Sequence, residues 1–595
     1  MKTKQHTLFK VVLKCSLALT IASTTLGGTF ANTLVPASAA TTTSVLAPSH
    51  NDTLTPVPAS YGYFIEHYKD NIKTNTSPQT NPAIAIFNNT FLSYWSAPDS
   101  LAKNSGVLQE NLNKAIAITN SANQTEIDRS YLTDRRDLRY NLISGLGPYA
   151  PAFIKAANAK TDFNNVPKAA LPADAPYSSM KWADEDAKLG SVVQLVDLTE
   201  GSAWSGTGTP KAYIKFTRPY RQSDQVKVNP YLTNVMAAAP QNDYDFPSGH
   251  TTAAFETGET LAYVFPQRFQ ELITRSSEVG YDRVLAGRHS PLAVMGGRVL
   301  GTAMTAATLN DPANQALITS AYQNAQNTLS QASDASAPDT FADYQQNLKD
   351  YTDRLTYGFA PIGVTTNPMV VPKGAEVLLK TRQPYLSDDQ RRAVLASTGL
   401  PSGYPMLDDA EGWGRLNLFA AANGYGSFTD ATEVTMDAAK GGFNANDTWK
   451  NNISGTGSFT KAGTGALTLL GANSYTGGTA LNGGTLTAAN QTALGTGNVT
   501  TTNGTLAVNT DTLNVNGDYT QKASSTLQLD NNSALNINGT ANLGGTLVVN
   551  GTKGAQKTTI LTYKQHSGEF TNVVLKGFSQ NARVVYNANN VQIEQ

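Results

Sequence analysis

The chain has 595 residues, of which 40% are hydrophobic and 15% charged, so it is long enough for more than one domain with a large buried core. Its N-terminal leader holds four lysines and no acidic residue. The remainder therefore keeps 40 of the 44 basic residues and all 45 acidic ones, a net charge of −5 with histidine neutral. This balance argues against a nucleic-acid partner. The only cysteine, Cys15, lies in the leader, which excludes disulfides and thiolate metal sites from the mature chain.

Residues 1–39 have the pattern of a secretory signal peptide: lysines, then a short apolar run, then the small residues Ala37-Ser38-Ala39. The alternative is a membrane anchor, which the short stretch, broken by threonines and glycines, disfavours. We therefore expect cleavage before Ala40 and a secreted bacterial protein, extracellular or attached to the cell surface. Further along, residues 291–309 are the nearest approach to a membrane span, and Arg298 interrupts them. No transmembrane segment is expected in the mature chain.

The region from Tyr61 to Leu309 contains long segments in which apolar residues recur at helical spacing, which predicts a mostly helical domain. Residues 310–350 are rich in Gln, Asn, Ala and Ser and fit one more helix. Residues 375–426 are again globular in composition and are placed with this domain as a C-terminal extension. The predicted helical domain covers residues 40–435.

After about Thr429 the composition changes to Gly, Asn, Thr, Leu and Val, and residues 451–550 carry only five charged side chains. Short alternating runs recur there with a period near 20 residues, which is typical of stacked units. Their leading leucines are Leu467, Leu486, Leu506, Leu527 and Leu547. Alternate apolar side chains would be buried while Gly and Asn form the turns, so we predict a right-handed parallel β-helix over residues 436–595. The alternative of a polar low-complexity linker does not explain the leucine spacing.

Phosphoryl transfer needs cations and amide donors around the phosphoryl oxygens, a nucleophile, and an acid for the leaving group. A first stretch, "KAYIKFTRPY", offers Lys211 and Arg218, two cationic side chains that could converge on one anion. Lys215 competes for the lysine role. Taken alone, this stretch fits a solvated basic face better than an anion site.

A second stretch, "DFPSGHTT", places Ser248, Gly249 and His250 where a tight turn opens a helix. The free N–H groups and positive dipole at such a helix end attract an anion. Ser248 adds a hydroxyl and Gly249 allows close approach of the backbone. The tetrapeptide at residues 401–404, Pro-Ser-Gly-Tyr, has the same turn without the histidine, and we assign it no chemistry.

A third stretch, "YDRVLAGRHSPLAVMGGR", places Arg283 six positions before His289, with Ser290 and Pro291 as helix-start residues. One histidine could attack phosphorus while the other protonates the leaving oxygen. All three stretches lie between positions 211 and 289. Their order within so short a span favours a single site over three structural features.

This ordered set resembles the signature of the type 2 phosphatidic acid phosphatase (PAP2) superfamily, most closely its secreted class A bacterial acid phosphatases. Vanadium haloperoxidases share the same oxyanion site. The resemblance implies an all-α helical bundle and hydrolysis of phosphate monoesters with no metal or other cofactor. It also implies that His289 forms a phosphohistidine, that His250 is the general acid, and that the phosphate is held by five residues: Lys211, Arg218, Ser248, Gly249 and Arg283.

Two positions depart from that signature. Asp282 stands where the family has Ser, and Ala293 stands where the family has an Asp that orients the nucleophilic histidine. Loss of the orienting acid in a comparable triad costs as much as ~10⁴ in turnover. From the sequence, Asp282, Glu256 or Glu259 could replace it, and reduced activity is expected if none does.

Residues 450–510 resemble the autotransporter-associated β-strand repeat, although no translocator barrel is expected after them. A stalk, or a surface that contacts the cell wall, is the expected role of this region. The leading functional hypothesis is a secreted acid phosphatase on a β-helical stalk. The alternatives are a vanadium-dependent haloperoxidase and a surface or adhesive protein with a weakened phosphatase site.

Overall fold

The computed structural model describes residues 54–530, 533–551 and 557–595, all of which lie in one compact unit. The predicted signal peptide lies outside the described residues. A helical region comes first and a β-solenoid follows, so the predicted order of an all-α and an all-β part is confirmed.

The helical region contains short helices at its beginning and longer ones around the site. The α-helices are Phe64–His67, Pro82–Ala85, Phe91–Tyr94, Ser105–Ser121, Gln124–Arg135, Ala150–Ala156, Gly190–Gly201, Gly208–Ile214, Pro219–Gln222, Thr233–Ala237, Gly249–Val264, Phe269–Leu285, Pro291–Asn310, Gln315–Leu329, Tyr344–Thr356, Asp388–Thr398, Leu418–Ala421 and Gly442–Ala445. The 3-10 helices are Tyr68–Asp70, Tyr140–Tyr149, Pro266–Arg268, Pro312–Asn314, Ala375–Leu379, Trp413–Arg415 and Ala438–Lys440. A small antiparallel ladder joins Trp95–Ser96 to Leu101–Ala102.

Three packed helices form the centre of this region: Gly249–Val264, Phe269–Leu285 and Pro291–Asn310. Glycines allow the first and third to approach closely. A Cβ on Gly297 would lie 2.7 Å from the Ser248 carbonyl oxygen, and one on Gly301 would lie 2.6 Å from that of Thr252. This close packing fixes the start of Gly249–Val264 against the start of Pro291–Asn310.

Helix Pro291–Asn310 is long and apolar enough to cross a membrane. Its apolar window is nevertheless completely buried inside the protein. Its composition is therefore explained by its place in the helical core.

The solenoid strands are Thr432–Met436, Asn446–Trp449, Phe459–Gly463, Ala466–Leu469, Thr479–Leu481, Thr485–Ala488, Val499–Val508, Thr512–Val515, Tyr519–Asp530, Ala534–Ile537, Thr540–Asn542, Thr546–Asn550, Lys557–Thr562, Gln565–Ser567, Asn572–Lys576, Arg583–Tyr586 and Asn590–Glu594. Most pair in parallel with the strand one coil further on. The five leading leucines at positions 467, 486, 506, 527 and 547 are direct partners in this ladder, and all are fully buried. The period near 20 residues is thus the length of one coil.

The last coils differ from the all-parallel expectation. Strand Asn590–Glu594 pairs antiparallel with both Lys557–Thr562 and Arg583–Tyr586. Its Val591 and Ile593 side chains are fully buried. This antiparallel hairpin shields the apolar side chains of the last coil, which in the middle of the solenoid are buried by the next parallel coil.

The solenoid begins inside the core of the helical region. Its first strand is Thr432–Met436, so the proposed domain boundary at 435/436 falls within a strand. Trp449 is fully buried and packs against Tyr425, with ring centroids 5.4 Å apart and ring planes inclined by 52°. Arg382 donates to Asp447 Oδ2 at 2.7 Å, and both side chains are nearly buried. The two regions therefore share one apolar core and a buried ion pair.

Candidate active site

Two cationic side chains from the first motif face the segment that precedes the Pro-Ser-Gly-His turn. Lys211, on helix Gly208–Ile214, donates through Nζ to the carbonyl oxygens of Tyr244 at 2.8 Å and Asp245 at 3.0 Å. Burial and the neighbouring Arg218 lower the pKa of Lys211 to about 7. Lys215 ends the same helix in a left-handed conformation and is exposed, so the geometry places Lys211 rather than Lys215 at the site.

His289 lies in the turn before helix Pro291–Asn310 and is 2% exposed. Its Nε2 is 3.0 Å from Arg218 Nη1, which also donates to the Arg288 carbonyl oxygen at 2.8 Å. Because the guanidinium can only donate, Nε2 is the acceptor and carries a lone pair. Burial, Arg218 and Lys211 hold the pKa of His289 well below its usual range. A neutral imidazole with its Nε2 lone pair turned toward cations is a suitable nucleophile for phosphorus.

The carboxylate that orients His289 is Asp245. Its Oδ1 is 2.8 Å from His289 Nδ1, which fixes the proton on that nitrogen. The Ser290 backbone N–H donates to the same oxygen at 3.2 Å, and the Ser290 hydroxyl donates to Oδ2 at 2.6 Å. Burial raises the pKa of Asp245 to about 6, against the opposing effects of Ser290, Arg218 and Lys211. The geometry assigns to Asp245 the place of the aspartate that is absent at Ala293.

The three carboxylates that the sequence offered as replacements make no hydrogen bond to His289 within the described part of the chain. Asp282 accepts from Arg129 Nε at 2.8 Å and from the Thr133 hydroxyl at 2.7 Å. Glu259 accepts from the Thr302 hydroxyl at 2.7 Å. Glu256 is buried, and its Oε1 has no hydrogen-bond partner in the described part of the chain. The question that the sequence left open is answered by the geometry: Asp245, and none of these three carboxylates, is hydrogen-bonded to His289.

The second motif opens helix Gly249–Val264. Ser248 is its N-cap, and its hydroxyl oxygen accepts from the Thr251 hydroxyl at 2.8 Å and more weakly from the Thr251 N–H at 3.4 Å. The Ser248 hydroxyl proton stays available for an anion. A Cβ on Gly249 would lie 3.0 Å from Thr207 Oγ1, so glycine gives the backbone a close approach here. His250 is partly exposed, unlike His289, and therefore lies on the solvent side.

Arg283 is held by an acidic partner that the sequence did not reveal. Its Nη1 donates to Asp134 Oδ1 at 2.7 Å, and Arg288 Nε donates to the same oxygen at 3.1 Å. Although Asp134 is fully buried, these two cations hold its pKa far below its usual range. Arg283 Nε is buried and has no hydrogen-bond partner among the described residues. His250 Nε2 is 3.4 Å from the Asp134 carbonyl oxygen, a long contact.

The site therefore joins Lys211, Arg218, Arg283 and two histidines around the N-terminus of one helix. In residues 54–530, 533–551 and 557–595, no group of three or more His, Cys, Asp or Glu side chains is arranged to hold a metal ion. The arrangement can bind an anion with three cations, attack it with His289 and protonate a leaving group with His250.

The second Pro-Ser-Gly turn contrasts with the first. Ser402 donates its hydroxyl to the Val364 carbonyl oxygen at 2.6 Å and accepts from the Asn367 N–H at 3.0 Å. The Gly403 N–H donates to Asp408 at 2.7 Å. Its polar groups are used within the protein, in keeping with the absence of an assigned chemistry.

Residues 194–316 match the family model of the PAP2 superfamily, and residues 459–488 match that of the passenger-associated-transport-repeat. The first match spans every motif residue described above, from Lys211 to His289. Residues 194–316 are a PAP2 superfamily domain. The resemblance to this superfamily and to autotransporter repeats is thereby confirmed. Asp245 and Arg288 lie inside the PAP2 domain, whereas Asp134 precedes it.

Relatives of two kinds are similar to parts of this chain. The non-specific acid phosphatase of Salmonella typhi is 31% identical over 121 residues, which are 20% of this chain and 47% of that protein. The Neisserial autotransporter lipoprotein NalP of Neisseria meningitidis serogroup B is 37% identical over 118 residues, 19% of this chain and 10% of that protein. An extracellular serine protease of Serratia marcescens is 33% identical over 144 residues, 19% of this chain and 14% of that protein. The chain spans less than half the length of each.

The place of Asp245 leads to a prediction for Ala293→Asp. Ala293 is fully buried, and its carbonyl oxygen accepts from the Ser248 N–H at 2.9 Å. A new carboxylate would be buried without a designed partner while Asp245 already binds His289. We expect no gain in phosphate release and a lower Tm, measured by thermal unfolding beside Ala293→Val. A rise in turnover would show that Asp245 does not orient His289.

Glu259 leads to a prediction on pH. Burial raises its pKa from 4.5 to about 8, so the folded protein holds a proton that the unfolded chain releases above pH 4.5. The stability that this neutral carboxyl provides is complete below pH 4.5 and is lost as the pH rises to about 8. The Tm of wild type should therefore fall between pH 5 and 8, and the Tm of Glu259→Gln should fall less over the same range. Calorimetry at several pH values measures both. The exposed Glu433→Gln is the control; parallel Tm curves for wild type and Glu259→Gln would refute the assignment.

Proposed function

We propose that this protein hydrolyses phosphate monoesters through a phosphohistidine at His289. The observation that carries the proposal is the His289 ring itself. Asp245 fixes the Nδ1 proton, and Nε2 accepts a hydrogen bond from Arg218 Nη1 at 3.0 Å, with the charge of Lys211 nearby. The acid phosphatase relative supports the same chemistry.

In the first step, His289 Nε2 attacks phosphorus and the bond from phosphorus to the ester oxygen breaks. The departing oxygen takes the proton of His250. In the second step, water attacks the phosphohistidine, His250 accepts a proton from that water, and the P–N bond breaks to release phosphate. Both histidines return to their starting protonation states.

The cations around the site serve two purposes in this scheme. Lys211, Arg218 and Arg283 stabilise the charge on the three non-bridging oxygens, together with the Ser248 hydroxyl and the Gly249 N–H. Burial and Arg283 lower the pKa of His250 in the free protein. A bound phosphate dianion offsets the field of Arg283 and favours the protonated His250 that the first step requires.

The proposal is tested by assaying the purified protein with p-nitrophenyl phosphate. Phosphate release should be blocked by vanadate and unaffected by a chelator, and a rapid acid-free quench should trap phosphohistidine. Absence of hydrolysis with any activated phosphate ester would refute it. Halide oxidation after loading with vanadate would instead support the haloperoxidase alternative. The hydrogen bond between Asp245 and His289 supports an active enzyme over the adhesive alternative.

We also propose that the protein is exported and acts outside the cell or at its surface, where the solenoid contacts the envelope. The predicted signal peptide and the autotransporter and extracellular protease relatives support this proposal. Cell fractionation should find the protein, with residues 1–39 removed, outside the cytoplasm. Recovery of the uncleaved chain in the cytoplasm would refute it.

A further inference from the structure

We infer that Tyr177 is a platform for the leaving group and gives the site a preference for esters in which that group is aromatic. The inference rests on the proposed function, since it names the substrate class of the same site. Tyr177 lies outside the matched PAP2 segment, on the long connection between helices Ala150–Ala156 and Gly190–Gly201.

Tyr177 stands beside the proposed general acid. Its ring centroid is 6.3 Å from that of His250, and the two ring planes are inclined by 53°. Half of the Tyr177 side chain is exposed, which is unusual for a large aromatic residue in this protein. Because His250 delivers its proton to the departing oxygen, the group attached to that oxygen must lie on the solvent side of His250. Tyr177 occupies that side.

The ring is held in place by Arg135, which is fully buried. The guanidinium carbon of Arg135 lies 4.3 Å from the Tyr177 ring centroid, within cation–π distance. Arg135 also donates to the carbonyl oxygens of Ala175, at 2.8 Å, and Pro176, just ahead of Tyr177. On the other side, the Ser178 N–H donates to the Arg135 carbonyl oxygen at 3.2 Å. The backbone on both sides of Tyr177 is thus hydrogen-bonded to Arg135.

The same helix connects the platform to the anion site. Asp134, which holds Arg283 and Arg288, precedes Arg135 at the end of helix Gln124–Arg135. The Tyr177 hydroxyl is 3.5 Å from Arg288 Nη2, too far for a firm hydrogen bond. A fixed ring beside the leaving-group position makes stacked or edge-to-face contact with an aromatic leaving group but not with a saturated one. This contact should raise kcat/KM for the aromatic ester about 3- to 10-fold relative to the saturated ester.

The test compares phenyl phosphate with cyclohexyl phosphate, whose leaving groups have similar size. The kcat/KM ratio of the two esters should fall about 3- to 10-fold in Tyr177→Leu and stay near the wild-type value in Tyr177→Phe. Tyr404→Leu, in the remote Pro-Ser-Gly-Tyr turn, is the control. Using the ratio removes the intrinsic difference in reactivity between the two esters. An unchanged ratio in an active Tyr177→Leu protein would overturn the inference.

Binding gives a second measurement that does not need turnover. Calorimetry should show that Tyr177→Leu loses affinity for phenylphosphonate and keeps its affinity for methylphosphonate. Suppose that wild type hydrolyses neither ester and that phenylphosphonate affinity is still lost on the Tyr177→Leu substitution. That result would refute the proposed function and support the inferred role of Tyr177. Equal binding of phenylphosphonate by wild type and Tyr177→Leu overturns the platform whatever the activity.

Discussion

Asp245→Asn should lower kcat for phosphate release by about 10³- to 10⁴-fold, with a much smaller change in KM. Asparagine has the shape of aspartate and can still accept from Ser290, so the fold should persist. It cannot stabilise the charged imidazole, and its amide donor can face Nδ1 and favour the wrong tautomer of His289. Steady-state kinetics with p-nitrophenyl phosphate, together with a Tm for each variant, provides the measurement.

The matched controls for this experiment are the carboxylates that the sequence offered as replacements. Glu259→Gln is buried and isosteric like Asp245→Asn, yet it lies away from His289 and should keep kcat within about twofold. A similar fall in both variants would mean that burial of a carboxylate, and not its bond to His289, is what turnover requires. Full activity in Asp245→Asn would contradict the orienting role outright.

The two histidines should fail in different ways. His289→Ala removes the nucleophile, so we expect at least a 10⁴-fold loss of kcat for every ester and no trapped phosphohistidine. His250→Ala removes the acid, so the loss should be about 10²- to 10⁴-fold for alkyl phosphates and much smaller for esters whose leaving group needs no proton. Measured over esters of increasing leaving-group pKa, kcat should decline more steeply in His250→Ala than in wild type.

The opposite pattern would exchange the roles of the two residues. Phosphohistidine that still forms in His289→Ala and disappears in His250→Ala would make His250 the nucleophile. The greater exposure of His250 and the carboxylate on His289 argue against that exchange.

Local signals in the sequence were sufficient for two parts of the structure. The leucine period predicted the solenoid register because parallel coils place equivalent positions side by side, and those leucines do pair. The helix starts at Ser248 and Ser290 follow from N-cap residues, each of which accepts a hydrogen bond from the third residue beyond it.

The partners of the site residues could not be predicted, because they are distant in sequence. Asp134 is 149 positions from Arg283, and no local pattern connects them. Asp245 is 44 positions from His289 but only three from Ser248, inside the stretch "DFPSGHTT". The PAP2 signature places the orienting acid four positions after the histidine, at Ala293, whereas in this fold the carboxylate comes from the other motif.

The junction between the helical region and the solenoid has a mechanical consequence. A flexible tether would let the PAP2 domain move freely relative to the solenoid, but here Trp449 and the Arg382–Asp447 pair hold the first coils against the helices. A surface that binds the distal coils would then keep the entrance of the candidate site, beside Tyr177, at a fixed distance and orientation relative to that surface. Under the proposed function, only phosphate esters at that distance from the support can reach the site.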